Sequence, residues 1–97
     1  MTKWVAVYPQ ATRLVFTAKT VREAGRALAE SMLAASERYK ATLIGWRWNS
    51  NGFKIKWSDG IEELYYVIWE ADPVLGRELT ADERSEFDAD FFRVLKA

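Results

Sequence analysis

The chain begins with two short β-rich runs, Trp4–Tyr8 closed by Pro9 and Leu14–Ala18, separated by the polar stretch Gln10–Arg13. Valine and aromatic residues bounded by turn-forming residues read as strands, and neighbouring strands of this kind pair as a hairpin, a single bent strand being the alternative. At Thr20 the period lengthens. Thr20-Val21-Arg22-Glu23 is a capping box, which predicts a helix start, and Val21, Ala24, Leu28, Met32, Ala35 and Tyr39 then recur at three- and four-residue steps as one apolar stripe. Arg22, Arg26 and Glu30 step along a solvated side, and the helix is expected to end near Lys40.

Alternation then returns. Thr42–Trp48, Phe53–Trp57 and Ile61–Ala71 read as three strands, separated by the turn dipeptides Asn51-Gly52 and Asp59-Gly60 and stopped by Asp72-Pro73. Val74–Leu79 reads as a connector. Thr80-Ala81-Asp82-Glu83 is a second capping box and opens a helix to about Lys96, with Phe87, Phe91, Val94 and Leu95 on one face. The expected architecture is a single α+β domain over residues 1–97, a small antiparallel sheet with two helices in the order ββαβββα.

Turn length sets which residues share a face. Two-residue loops at both dipeptides would pair Trp48 with Ile55, Trp46 with Trp57, Ile55 with Leu64 and Lys56 with Glu63. One face then carries Ile44, Trp46, Trp48, Phe53, Ile55, Trp57, Leu64, Tyr66 and Ile68, the expected core beneath helix 20–40. The other mixes Arg47, Lys54 and Lys56 with Tyr65, Val67 and Trp69.

Composition narrows the chemistry. The 97 residues contain no Cys and no His, which removes thiol nucleophiles, disulfides, the usual zinc sites and the commonest general base. The two carboxylates of Glu62-Glu63 point to opposite faces of a strand and cannot share a substrate. The longest apolar run, Leu64–Trp69, is far below the ~20 residues of a membrane span, and the N-terminus lacks the pattern of a secretory leader. A cytoplasmic, non-enzymatic protein is expected, with no cofactor or metal.

Charge supplies the functional candidates. Residues 1–58 hold ten Lys/Arg against three Asp/Glu, and residues 59–97 hold four against eleven, so +7 is followed by −7. Asp82, Glu86 and Asp90, with Glu83 beside them, step along one side of the last helix. They form a candidate acidic surface for docking on a partner's basic groove. The sharper form of this reading is a stoichiometric inhibitor of a nucleic-acid-handling complex. Small phage-encoded anti-defence proteins, CRISPR inhibitors among them, are similar to this chain in size and chemistry. The alternative is a single-stranded nucleic-acid site built from Arg47, Lys54, Lys56, Tyr65 and Trp69, where bases stack on rings and cations meet phosphates. A third reading is a dimerisation subunit with Val67 and Trp69 at a symmetric interface. The order of three strands and a helix is similar to double-stranded RNA-binding domains, but the acidic start of the last helix would repel phosphate and excludes duplex binding. A protein partner is expected first and nucleic acid second, on a monomer or homodimer.

Overall fold

The computed structural model describes residues 3–9, 16–49, 52–71 and 74–96, without the side chains of residue 71 and of residues 74–76. The expected turns at 10–13 and 72–73, Asn51 of the expected Asn51-Gly52 turn, and the start of the Leu14–Ala18 run lie outside the described residues.

Strands β1 (Lys3–Pro9) and β2 (Phe16–Ala18) pair antiparallel, the expected hairpin. Helix α1 (Val21–Tyr39) follows. The hydroxyl of Thr20 accepts from the N–H of Glu23 at 3.1 Å, and the carboxylate of Glu23 accepts from the N–H of Lys19 at 3.1 Å. Lys40 ends the helix in the left-handed conformation, φ 58°, and its N–H donates to the Ser36 carbonyl. Three strands come next: β3 (Leu43–Asn49), β4 (Gly52–Trp57) and β5 (Glu62–Ala71). The expected connector is a strand as well, β6 (Val74–Glu78), paired with the end of β5. Its backbone thus finds hydrogen-bond partners in the sheet. Helix α2 (Ala81–Lys96) closes the chain on a full capping box. Thr80 Oγ1 accepts from Glu83 N at 3.2 Å, and Glu83 Oε1 accepts from Thr80 N at 2.8 Å.

The fold class is α+β, with the strands in the order β2-β1-β5-β4-β3 and β6 beside β4 on the same edge of β5. Register departs from expectation at both turns. At the first, Asn49 pairs with Gly52, Trp48 with Phe53 and Trp46 with Ile55, a shift of two residues that leaves the faces unchanged. A side chain at Gly52 would stand 2.8 Å from Leu64, so this glycine makes room for Leu64. At the second, Trp57 N–H donates to the Ile61 carbonyl at 2.9 Å and Gly60 takes φ 91°, closing the three-residue loop Ser58-Asp59-Gly60. That extra residue slips β5 by one. Ile55 faces Glu63, Lys54 faces Leu64 and Phe53 faces Tyr65. Every β5 side chain therefore lies on the face opposite to the one expected.

The core face consequently holds Val5, Val7, Phe53, Ile55, Trp57, Tyr65 and Val67, all buried, with Trp46, Trp48 and Trp69 packed against them. Leu64, Tyr66 and Ile68 move to the other face. A bulge between Leu43 and Gly45 also turns Leu43 inward opposite Trp57 and leaves Ile44, an expected core residue, 57% exposed.

Both helices cover this one face. α1 lies over β1 and β2, whereas the Trp46 and Trp48 side of the sheet, expected under α1, is covered by α2. Phe87 and Phe91 of α2 pack edge-on against Trp48, Phe53 and Trp46 with ring centroids 5.0–5.3 Å apart. The helices run side by side in the same direction: Gly25 lies against Phe87, and Met32, Leu33 and Ser36 share a groove with Phe92, Leu95 and Lys96.

Gly25 sets that helix spacing, because a Cβ there would stand 2.4 Å from the Phe87 carbonyl oxygen. Gly→Ala in an uncovered helix gains about 1 kcal/mol. Gly25→Ala is expected instead to lose about 1–3 kcal/mol through overpacking. A control, Gly45→Ala, has nothing within 4 Å of the new Cβ and is expected to be near neutral. Chemical denaturation of the two variants beside wild type checks both signs.

Candidate functional site

The acidic side of α2 is only partly a free surface. Asp82 and Glu86 are exposed, but Asp90 is buried at 6% and lies 3.7 Å from Arg22 of α1 and 3.1 Å from Arg93. Its carboxylate ties the two helices together, because Gly25 lets them approach closely enough for α1 to cover it. Glu83 is also occupied. Besides its cap on Thr80, it accepts from the Trp69 indole N–H at 2.8 Å and pairs with Arg77 at 3.0 Å. The Arg77 guanidinium, with the Thr80 and Trp69 donors, outweighs burial and holds the Glu83 carboxyl down to about 2. This cluster fastens α2 to β5 and β6.

Other polar groups beside the core are likewise matched. Trp48 donates its indole N–H to Asp88 at 2.8 Å, and burial pushes the Asp88 carboxyl up while that bond pulls it down. Tyr65 donates to Glu63 at 2.8 Å, and its hydroxyl is held well above the usual phenol range, first by burial and then by Glu63. Among the described residues no three acidic side chains gather as a metal site.

The expected basic and aromatic constellation is divided by the slipped register. Arg47, Lys54 and Lys56 lie on the open face, whereas Tyr65 and Trp69 point to the helices. Val67 is fully buried, so it and Trp69 do not form an outer dimer surface. The sheet's alternation brings a different set to the cations. From β1 and β5 the open face receives Trp4, Ala6, Tyr8, Leu64, Tyr66, Ile68 and Glu70, with Tyr8 directly opposite Tyr66 and Ala6 opposite Ile68. Each of the large apolar residues is half-buried, and Ala6 is fully buried although no helix lies above it, so its neighbours fold over it. Tyr8 donates a hydrogen bond to Glu70, and its hydroxyl is pushed up to about 12 by burial and by that carboxylate.

The β3–β4 side of this face is cationic. Arg47 sits directly across from Lys54, an arrangement of like charges that costs stability. Lys54 is offset by Glu62 at 3.5 Å, while Arg47 and Lys56 are exposed. Together with Gly45 and Glu62 they line a shallow depression. Sequence reasoning missed Trp4, Tyr8, Leu64 and Tyr66 here. The signal that could have found them was Gly60 as the third residue of a loop.

The Glu83 shift predicts a pH effect. Its folded value lies below the ordinary 4.5, so its contribution is complete above that pH and is lost as pH falls toward about 2. Glu83→Gln is expected to cost roughly 1–2 kcal/mol at pH 7, less than the bare shift implies because Arg77 is half exposed to screening solvent. The difference from wild type should shrink on acidification. Urea melts of both proteins from pH 7 to pH 2.5 read this directly.

No known family model, curated protein or solved structure matches the chain.

Proposed function

We propose that this chain is a non-enzymatic protein-binding module and that its docking surface is the open face of the sheet. One observation carries the reading: Trp4, Tyr8, Leu64, Tyr66 and Ile68 share a face that neither helix covers. Tyr, Trp and Arg are the residues that anchor protein interfaces, where a rigid ring adds contact area at small entropic cost. The rim carries both signs, with Arg47, Lys54 and Lys56 toward β3 and Glu70 and Glu78 toward the opposite end. The Arg47–Lys54 opposition, offset in part by Glu62, fits a surface kept for a partner that brings carboxylates.

An acidic inhibitor acting through α2 is supported less. Of its four carboxylates, Glu83 and Asp90 are held in fold contacts, and the exposed pair Asp82 and Glu86 is too few to imitate a phosphate backbone. Single-stranded nucleic acid is a second reading of the open face, favoured by three cations on the face that holds Tyr66. Glu62, Glu70 and Glu78 on the same face oppose it by repelling phosphate.

Three variants separate these readings. Lys54→Glu combined with Tyr66→Ala is expected to abolish capture of the protein partner from the native host at unchanged fold. Asp82→Lys combined with Glu86→Lys is expected to leave capture intact. The reverse pattern would return the interface to α2. A Trp-fluorescence titration with single-stranded oligonucleotide is expected to show no submicromolar binding at physiological salt. Tight, salt-sensitive binding that Lys54→Glu removes would install the nucleic-acid reading instead.

A further inference from the structure

We infer that β3 is a homodimer edge, pairing antiparallel with β3 of a second copy about a two-fold axis at Trp46. β3 is the last strand on its side of the sheet, and among the described residues nothing pairs with its outer edge. It is seven residues long, contains no proline and carries one charge, Arg47. Such an edge is a template for another strand unless it is blocked.

Hydrogen bonding and charge select the register. Asn49 opposite Gly52 leaves two residues between them, and the closing pair of such a hairpin exchanges its hydrogen bonds internally. Counting back along the alternation, the N–H and C=O groups of Trp46 and Trp48 point to the free edge. An axis at Trp46 joins the Trp46 groups of the two copies and sets Arg47 opposite Gly45 of the second copy. The position above Gly45 is empty, with nothing within 4 Å of where a Cβ would stand, so the arginine has room. An axis at Arg47 would instead oppose two arginines.

A stable interface needs about 800 Å² per partner, more than a short strand pair covers, and the surface beside the edge adds exposed apolar side chains. Ile44 is 57% exposed, Phe92 47% and Leu33 45%. Leu33 and Phe92 line a groove of about 250 Å³ with Met32, Leu43, Trp46 and Leu95, next to the start of β3. Phe92 lies over Trp46 at 6.0 Å, which places it beside the proposed axis and against its own counterpart. Both copies would then present their open faces on the same side of one continuous sheet.

The chain's lack of cysteine makes the test specific. Gly45→Cys and Arg47→Cys are prepared as separate proteins, both changes falling on the open face. Directly opposed residues of a non-hydrogen-bonded pair have Cα atoms about 4.5 Å apart, within disulfide range. The mixed proteins are expected to form a disulfide-linked dimer under mild oxidation, and each alone is expected to cross-link far less. Sedimentation equilibrium of wild type is expected to give twice the chain mass at about 100 µM, and Phe92→Asp to weaken association at least tenfold with its melting temperature kept. A monomer at that concentration, equal cross-linking of the single variants, or a dimer that Phe92→Asp leaves intact would each overturn the inference. A dimer that fails to cross-link in the mixture uses another face and overturns it too. None of these outcomes depends on whether the open face captures a partner.

Discussion

Gly60 holds a left-handed conformation, φ 91°, that lets Ser58-Asp59-Gly60 close as a three-residue loop. The register of β5 against β4 follows from it, and β5 is the strand on which the sheet is built, pairing with β1, β4 and β6. Because side chains alternate, that register decides which half of β5 meets the helices. With three loop residues, Tyr65, Val67 and Trp69 lie beneath the helical layer, and the Trp69 indole can reach Glu83. With two, Leu64, Tyr66 and Ile68 would lie there, and α2 would lose its anchor. The composition of the open face is the complement of the same choice.

The segregation of charge along the chain finds much of its meaning inside the fold. The cationic first part and the anionic second part are interleaved: β1 and β4 flank β5, and α1 lies along α2. Arg22 with Asp90 and Lys54 with Glu62 join one part to the other. Parallel helices also align their dipoles, a repulsive arrangement. Glu23, Asp82 and Glu83 at the first turns and Arg38, Arg93 and Lys96 at the last turns offset it. A net +7 followed by −7 therefore does not require an external polyelectrolyte. The same complementarity explains why Asp90 is buried rather than displayed.

Local signals were legible where the chemistry is local. Both capping boxes form, the apolar stripes of both helices face inward except at Tyr39, which the last turn of α1 leaves 68% exposed, and the chain opens with the hairpin its composition implies. What sequence left hidden depended on one-residue differences between loops. Asn51-Gly52 carries the usual hairpin dipeptide, yet Gly52 is placed by the close approach of Leu64. Asp59-Gly60 carries it as well, with one more residue in the loop. The cost of that ambiguity is asymmetric. The two-residue shift at the first turn left the faces intact, whereas the one-residue slip at the second exchanged core and surface along β5. The candidate site suffered most, because it was defined by which aromatics share a face with Arg47, Lys54 and Lys56. Asp90 was hidden for a different reason: a helical i,i+4 spacing says which residues align, not which neighbouring helix covers the last of them.

Edge and face have different physical roles in this sheet. The open face is patterned, with rings at its centre and opposite charges at its ends, which suits selective recognition. The β3 edge is repetitive backbone, which any strand can satisfy, and specificity there must come from its few side chains. Gly45 and Arg47 supply it through a vacancy and a charge two residues apart, an arrangement that an antiparallel copy fills and a shifted register does not. The bulge at Ile44 limits pairing to the remainder of the strand. Joining two copies along this edge would place two patterned faces side by side, so that a partner with repeated sites gains from the second contact without any increase in the affinity of the first.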